Sequence, residues 1–592
     1  MTRFLAGLLP ILCLASPAWA GAIYPIDRAS VLAGSRFDFK VEFDQVVPQD
    51  QIKVTVGGKP AEAVFGRPAR FLEREDGKAV TSWVVQGASL TQPGPVEVVA
   101  TGGGQTLKVR WDVYATGPGK ARNVILFIGD GLSPAHRTAA RLLARGMDQG
   151  KYRGGLAFDD FPHTGLVGTS GTDSIITDSA NSMSAYTTGH KSALNAMGVY
   201  ASRAENDFEH PRVETIVELV KRRTKMAVGV VSDAEVEDAT PAAMVAHTRR
   251  RARKAEIAPM FLDSGVDVPL GGGRAYFLRS GTAGSKRQDG LDPLGRARAE
   301  GYAVAMTGRE LTAAAQSSTR KLLGLFHPEN MDGVLDRRFL KKGTVAELPD
   351  QPDLTEMTRA ALEVLSRNPD GFVLMVEAGL IDKFSHRLDW ERSVWDTIML
   401  SDAVQVARDF AARRNDTLIL VTADHAHGLS IVGTVEDGAG PPRDRVRTYA
   451  EAGFPDYGAP DRDGYPARPD PKRRLAVFFS DTPDVYESRG PSLQGPREPS
   501  VPAPDKKGFV PNPAEKAPGA PLVEGNLPRS AEGGVHTMED VVLDAVGPGS
   551  ERVHGFMDNT EVFRVMVEAL GLGRSAPSSA TTTTAGTAGA RK

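Results

Sequence analysis

Short apolar runs recur along this sequence, and they constrain the fold more than any other feature. The run at 124–128 is unbroken, which predicts a strand covered on both faces, as inside a parallel sheet. Similar runs alternate with helix-compatible stretches. The runs lie at 225–231, 371–377 and 417–422, and the helical stretches at 133–146, 179–188, 213–223 and 355–368. This alternation predicts an α/β domain whose mostly parallel sheet carries helices on both faces.

The segment 22–115 has a different pattern. Residues 37–43 alternate between apolar and polar side chains, and similar short segments recur between Gly and Pro turns. Such period-2 alternation predicts a small all-β, Ig-like sandwich. The segment contains no His or Cys, so it offers no catalytic cluster. The segment can therefore be a structural or positioning module or a binding module.

The first twenty residues have the pattern of a signal peptide. Arg3 precedes an apolar stretch over 4–16, and Ala18-Trp19-Ala20 follows as a small-x-small cleavage site. The single cysteine, Cys13, lies inside this segment, so the mature chain has no disulfide. We therefore expect an exported protein, periplasmic or secreted. No later segment has enough consecutive apolar residues for a membrane span.

Net charge bears on the binding partners to expect, and composition bears on the domain boundaries. The formal net charge is −3, without the basic excess typical of nucleic-acid-binding proteins. The segment 441–530 is rich in proline and weakly periodic, and we interpret it as a surface insertion in a catalytic domain over 122–572. A helix near 559–570 closes that domain. The tail 575–592 has low complexity and is predicted to be disordered.

Polar side chains follow several of the apolar runs. Asp130 lies between two glycines after the first run, Glu377 ends another, and Asp424 and His425 follow the run at 417–422. The carboxyl ends of parallel strands meet at one edge of a sheet, where α/β proteins bind ligands. Asp130 is open to a simpler explanation, since Gly-Asp-Gly is also a common turn.

Two further places extend this polar set. Asp382 and His386 are four residues apart, hence on one helix face, and His536 follows the Pro-rich segment. Carboxylate and imidazole donors without thiolates favour Zn²⁺, Mg²⁺ or Mn²⁺, and the set exceeds the needs of one ion. A salt-bridged helix start and an ordinary surface histidine are the alternatives.

Ser179 is the candidate nucleophile. It begins a run of small residues that is compatible with a helix, and a helix N-terminus attracts phosphate. A serine hydroxyl needs a base or a metal to react at neutral pH. The alternative is a helix-capping serine.

Taken together, these motifs resemble the alkaline phosphatases. The resemblance is ordered along the chain and covers roughly 122–572. Its motifs are NVILFIGDG (123–131), TDSANS (177–182), DATPAAMVAH (238–247), VEAGLIDKFSH (376–386), TADHAH (422–427) and GGVHT (533–537).

The resemblance implies a three-layer α/β/α sandwich, a phosphoserine intermediate on Ser179, two zinc ions and one magnesium ion. One zinc would be held by Asp382, His386 and His536. The other would be held by Asp130, Asp424 and His425 and would contact Ser179, and magnesium would be held by Asp130, Thr240 and Glu377. His427 would support the site by orienting a metal ligand.

The resemblance also implies a phosphate-binding arginine at Arg251, although three further arginines surround it. Asp238 and Lys383 occupy positions typical of the bacterial branch. Asn181 stands where a small residue is usual, and we expect it to alter the helix beside Ser179. His327 replaces a glutamate of the animal calcium site, so we predict no calcium there.

The function implied is a metal-dependent alkaline phosphatase that acts on small phosphate monoesters, for phosphate scavenging. A related phosphodiesterase is the first alternative. A sulfatase would need a different motif around a Cys or Ser. A non-catalytic surface-binding protein would be expected to lack ligands, and every ligand position is filled. A homodimer is a further hypothesis.

Overall fold

A ten-stranded sheet forms the centre of the larger part of the protein. The computed structural model describes residues 21–438, 442–487 and 493–573. The strands lie in the spatial order Ala303–Ala305, Leu322–Leu325, Val268–Gly272, Ala227–Glu235, Phe372–Ala378, Asn123–Gly129, Thr417–Thr422, Val541–Val546, His163–Gly168 and Gly555–Asp558.

The first seven strands of this order are parallel to one another. Val541–Val546 runs antiparallel to both of its neighbours, and Gly555–Asp558 lies parallel to His163–Gly168 at the edge. The central strands are buried along their full length, as the apolar runs predict. The sheet is therefore mostly parallel.

Helices cover the sheet in two groups. In each group the helices pack against one another and against the strands. One group comprises Pro134–Arg145, Gly308–Gln316, Leu354–Leu365 and Trp390–Ala411, and the other comprises Ser179–Thr188, Ile216–Arg223, Ala239–Ala242 and Thr560–Leu570. Shorter helices at Lys254–Ile257, Met260–Asp263, Arg274–Phe277, Pro293–Ala299 and Leu380–His386 connect the strands. The predicted three-layer α/β/α fold is confirmed.

The helix Leu354–Leu365 shows why these helices form where they do. The carboxylate of its N-cap, Asp353, accepts a bond from the Glu356 backbone N–H, and the Glu356 carboxylate accepts one from the Asp353 N–H. This reciprocal cap satisfies N–H groups that a first helical turn leaves without partners. Apolar residues at helical spacing then bury one face against Trp390–Ala411.

The N-terminal segment forms a β-sandwich with its own core. One sheet contains Ala22–Tyr24, Phe37–Phe43, Thr81–Ala88 and Arg70–Leu72, and the other Ser30–Leu32, Gln105–Tyr114, Gly94–Gly102, Lys53–Val56 and Lys59–Pro60. Phe39 lies between Trp83 and Trp111, edge to face with both at 5.8 Å between ring centroids. The predicted all-β sandwich is confirmed, while its boundaries and those of the catalytic domain stay predictions.

A buried ion network joins the sandwich to the catalytic part. Lys40 Nζ lies 2.6 Å from Glu75 Oε1 and 2.8 Å from Glu42 Oε1. Arg203, from the catalytic part, places its Nε 2.9 Å from Glu75 Oε2 and donates to the Phe43 carbonyl. Because these charged side chains are almost fully buried, a charge left without its partners would destabilise the fold.

We expect Arg203→Ala to lower the free energy of unfolding by about 2 kcal/mol, because it removes a charge-assisted hydrogen bond from buried Glu75. Urea unfolding followed by tryptophan fluorescence would measure the change. Arg28→Ala is the matched control, because the Arg28 side chain is 90% exposed and its ion pair with Asp27 is 3.7 Å long. Equal stability of the two variants would contradict a stabilising role for the network.

The Pro-rich segment folds onto the catalytic part through short strands. Arg473–Phe479 pairs with Leu429–Glu436, which in turn pairs with Val446–Arg447. Two small antiparallel strand pairs follow, formed by Val485–Tyr486 with Leu522–Val523 and by Ser500–Pro502 with Phe509–Pro511.

The predicted signal peptide at 1–20 and the predicted tail at 575–592 lie outside the described residues. Within the described part, no helix is both long and apolar enough to cross a membrane.

Candidate active site and metal centre

Parallel strands bring four of the predicted donors to one edge of the sheet. Asp130 directly follows Asn123–Gly129, and Asp424 and His425 follow Thr417–Thr422. Ile128 is paired with Glu377 on one side and with Thr422 on the other. The three strands therefore end at the same level, and their polar side chains meet there.

Ser179 is the first residue of the helix Ser179–Thr188 and is 1% exposed. The N-cap Asp178 accepts a bond from the Asn181 N–H at 3.0 Å, and Asn181 Oδ1 accepts one from the Asp178 N–H at 3.0 Å. The Thr177 hydroxyl also donates to Asn181 Oδ1, at 2.8 Å. Asn181 thus completes a reciprocal cap that stabilises the first turn around Ser179.

Asp382, His386 and His536 place three donor atoms at the corners of a small triangle. Asp382 Oδ1 lies 3.3 Å from His386 Nε2 and 3.4 Å from His536 Nε2, and the two nitrogens are 3.2 Å apart. Zinc bonds of about 2.0–2.1 Å in a tetrahedron place ligand atoms about 3.4 Å apart. The triangle therefore fits one zinc ion with a fourth position left for another ligand.

Hydrogen bonds fix the orientation of these donors. His386 Nδ1 donates to the Gly534 carbonyl and His536 Nδ1 to the Thr177 carbonyl, both at 2.7 Å. His427 Nε2 lies 2.7 Å from Asp382 Oδ1. Such bonds leave the Nε2 atoms of His386 and His536 facing Asp382, an arrangement that is typical of metal sites.

A second set of donors surrounds Ser179. His425 Nε2 lies 3.2 Å from Asp130 Oδ1, 3.4 Å from Asp424 Oδ2 and 3.2 Å from Ser179 Oγ. Asp130 Oδ1 and Asp424 Oδ2 are buried and have no hydrogen-bond partner among the described residues. Buried carboxylate oxygens without donors are costly, so this set fits a divalent cation.

The third predicted set lies on the other oxygen of Asp130. The Thr240 hydroxyl is 3.4 Å from Asp130 Oδ2, and the Ser232 hydroxyl donates to Glu377 Oε2. Burial and the charge of Asp130 raise the pKa of Glu377 well above its usual value. An all-oxygen set of this kind suits magnesium.

A family model described as alkaline phosphatase matches residues 121–447. The chain belongs to the alkaline phosphatase family. It is an enzyme, a phosphoric monoester hydrolase, as predicted. The match begins after the sandwich and ends inside the Pro-rich segment.

Relatives and solved structures agree with the family. The chain is 36% identical to alkaline phosphatase H of Pseudomonas aeruginosa over 348 residues, which are 53% of this chain and 71% of the relative. It is 34% identical to the alkaline phosphatase of Escherichia coli over 378 residues, which are 58% and 77%. The alkaline phosphatase of the Antarctic bacterium TAB5 has the same fold, with a TM-score of 0.53 and 22% identity over 77% of this chain and 99% of that chain.

The carboxylates of this alkaline phosphatase site differ in the direction in which their pKa is shifted. Burial raises the pKa of Asp130 and of Asp424, and neighbouring carboxylates add to the effect. Burial also opposes the ionisation of Asp382, but the charges of His386 and Lys383 outweigh it and hold the pKa of Asp382 well below its usual range. A bound cation would favour the ionised form of all three carboxylates.

Of the four neighbouring arginines, Arg251 is the one that contacts the network around the donors in the described part of the chain. Its Nη2 donates to Asp238 Oδ1 at 3.0 Å, and Asp238 Oδ2 lies 3.0 Å from Lys383 Nζ, which is 3.4 Å from Asp382 Oδ2. The other three bind Asp207 or a backbone carbonyl instead: Arg249 contacts Leu194, and Arg250 and Arg253 contact Asp207. The geometry thus favours Arg251 as the phosphate-binding arginine.

Two polar residues at the end of a fourth strand, Ala227–Glu235, were not predicted from the sequence. Ser232 binds Glu377, and Asp233 Oδ1 accepts bonds from the Gly379 and Leu380 N–H groups at 2.6 and 3.2 Å. Asp233 therefore positions the helix that carries Asp382. The sequence does indicate these residues, because Ser232 and Asp233 follow the apolar run at 225–231 just as polar residues follow the other apolar runs.

Proposed function

We propose that this alkaline phosphatase hydrolyses small phosphate monoesters through a phosphoserine on Ser179, with two zinc ions and one magnesium ion. The observation that supports it most is that Ser179 Oγ lies within 3.5 Å of Asp130 and His425, beside a second donor triangle. Zinc would be held by the set at Asp382 and the set at Asp424, and magnesium by the set at Glu377. The bound ions would lower the pKa of the serine hydroxyl and offset charge on the transferred phosphoryl group.

The side chains position the phosphoryl group for attack. Arg251 can bind two phosphoryl oxygens through its planar guanidinium, and Asp238 holds that guanidinium in place. Backbone N–H groups of the first turn of Ser179–Thr188 favour the same negative charge. The Ser179 oxygen then forms a bond to phosphorus as the bond to the alcohol oxygen breaks.

The second half of the reaction regenerates the serine. Water attacks the phosphorus of phosphoserine, the bond to Ser179 Oγ breaks, and inorganic phosphate is released. Two in-line displacements give net retention at phosphorus. Lys383 and Asp238 remain paired throughout and keep Arg251 aligned.

The experiment that tests this compares p-nitrophenyl phosphate with bis-p-nitrophenyl phosphate from neutral to alkaline pH. We expect strong monoester hydrolysis by protein loaded with Zn²⁺ and Mg²⁺, loss of activity on chelation, and recovery on adding the ions back. Thermal unfolding of the chelated protein should occur at lower temperature, because buried carboxylates lose their cations.

A preference for the diester would assign the protein to the phosphodiesterases of the superfamily and remove the proposed role of Arg251. Absence of hydrolysis of either ester by metal-loaded protein would favour a surface-binding protein. Activity that survives complete chelation would contradict the metal assignments.

The remaining sequence-based expectations are proposed with this function. We propose export to the periplasm or medium, on the pattern of residues 1–20, and phosphate scavenging as the role there. A catalytic domain over 122–572, with an insertion over 441–530, is part of this proposal. So is assembly as a homodimer.

A further inference from the structure

A pocket of about 640 Å³ opens beside the donor triangle of this site. One wall is formed by Lys383, His386 and Arg387, and the facing wall by 497–502 and 532–535. The facing wall belongs to the Pro-rich segment and its return to His536, beyond the residues that the family model matches. We call this the insertion pocket.

Hydrogen bonds tie the insertion pocket to the loop after His386. The Arg497 N–H donates to Asp389 Oδ2 at 3.1 Å, and Arg497 Nη1 donates to the Leu388 carbonyl at 3.2 Å. The Gly534 N–H donates to the His386 carbonyl at 2.9 Å. Because both walls are bonded to the same loop, the pocket is preformed, which is typical of ligand sites.

The pocket lies on the side of the site away from the nucleophile. Ser179 Oγ contacts His425, whose ring stacks on His536 at 3.5 Å, and His536 lies 5.0 Å from the His386 ring. This row of rings leads from the serine to the pocket. In an in-line displacement the leaving oxygen is opposite the attacking oxygen. In the proposed mechanism the alcohol part of the substrate would therefore extend towards the insertion pocket.

Three charged side chains of the pocket are available to a ligand. Arg387, Glu498 and Glu532 are exposed, and none makes an ion pair or a side-chain hydrogen bond within the described part of the chain. By contrast, Lys383 is paired with Asp238, and Arg497 with Glu515. The pocket thus offers one free donor group and two free acceptor groups.

The side chains that line the insertion pocket favour some classes of alcohol over others as ligands. No Phe, Tyr or Trp side chain of the described residues lines the pocket, so it offers no stacking surface for a nucleobase or an aromatic ring. Carboxylates accept hydrogen bonds from hydroxyl groups, and a guanidinium donates to their oxygens. A ligand with several hydroxyl groups would satisfy both.

We propose that the insertion pocket binds the alcohol part of the substrate, and that this alcohol is a polyhydroxylated ring, a sugar or a cyclitol. The inference rests on the proposed function, since it requires the serine to attack a phosphate monoester. It adds a substrate class that the metal and serine residues alone do not select.

The test compares glucose 6-phosphate with p-nitrophenyl phosphate on the metal-loaded full chain. We expect Arg387→Ala, and separately the double variant Glu498→Ala/Glu532→Ala, to lower kcat/KM for glucose 6-phosphate about tenfold, mainly through KM. The kcat/KM for p-nitrophenyl phosphate should stay within about twofold. Glu524→Ala, an exposed glutamate of the same segment outside the pocket, should change neither.

Equal losses on both esters would overturn the inference, since the residues would then act through His386 or His536. Unchanged values on both esters in the variants would overturn it as well. If the unsubstituted protein hydrolyses neither ester, the proposed function fails and the inference fails with it. Selective loss on the sugar phosphate alone supports the inference.

Discussion

Ser179→Ala is expected to lower kcat for p-nitrophenyl phosphate by about 10⁴-fold or more. The proposed mechanism has no other nucleophile for the first half-reaction, and the bond between the Ser179 oxygen and phosphorus forms in one half-reaction and breaks in the other. The fold should be unaffected, because alanine fits a buried first helical position and the cap between Asp178 and Asn181 remains. Metal binding should persist, since Asp130, Asp424 and His425 are unchanged.

Steady-state kinetics at saturating substrate would measure the loss, and acid quenching with ³²P-labelled substrate would show whether a phosphoenzyme forms. Ser184→Ala is the matched control, a buried serine in the same helix whose Oγ accepts a bond from the Gly198 N–H. It should lose some stability but keep its kcat. A Ser179→Ala protein that retains more than a few per cent of kcat, or that still forms a phosphoenzyme, would contradict the assignment.

Arg392→Met is expected to lower the free energy of unfolding by about 3–5 kcal/mol. The Arg392 side chain is fully buried, with Nε 2.7 Å from Asp336 Oδ2 and Nη1 2.8 Å from Asp389 Oδ2. Removing it leaves two buried carboxylates without their cation. Because Asp389 also binds the Arg497 N–H, the pocket wall should loosen at the same time.

Chemical unfolding of the metal-loaded protein would measure this cost. The double variant Arg392→Met/Asp336→Asn provides the comparison, because neutralising one stranded carboxylate should recover part of the loss. Arg309→Ala serves as the control, since its side chain is 90% exposed. A cost for Arg392→Met no larger than that of Arg309→Ala would show that the buried network does not stabilise the fold.

The central strands of the sheet are predictable from the sequence, but the strands at the edge formed by His163–Gly168 and Gly555–Asp558 are not. The apolar run at 124–128 lies in the strand Asn123–Gly129. It is recognisable in the sequence because a strand buried on both faces needs apolar side chains at successive positions. His163–Gly168 and Gly555–Asp558 are only half-buried, and their apolar residues Leu166 and Phe556 are 46% and 69% exposed. Such strands have no unbroken apolar run, and their position depends on pairing with distant segments.

The donors of the site follow from sequence motifs, whereas the resemblance alone points to Arg251 among its neighbouring arginines. Arg249, Arg250 and Arg253 are chemically equivalent to Arg251 in the sequence, and what distinguishes them in the fold is that their side chains contact Leu194 or Asp207 instead of Asp238. The insertion pocket is absent from the sequence prediction. Its wall over 497–502 has no periodicity, and its shape depends on bonds to Leu388 and Asp389.

The donor triangle has a consequence for synthesis. Asp382 and His386 are made well before His536, which follows the entire Pro-rich segment and binds the carbonyl of Thr177, two residues before the serine. A nascent or truncated chain that lacks His536 therefore lacks a donor of the triangle and the contact that braces the segment before Ser179. Phosphatase activity should appear only when the chain has been made as far as His536 and this residue has docked, so activity would report that this late step of folding has taken place.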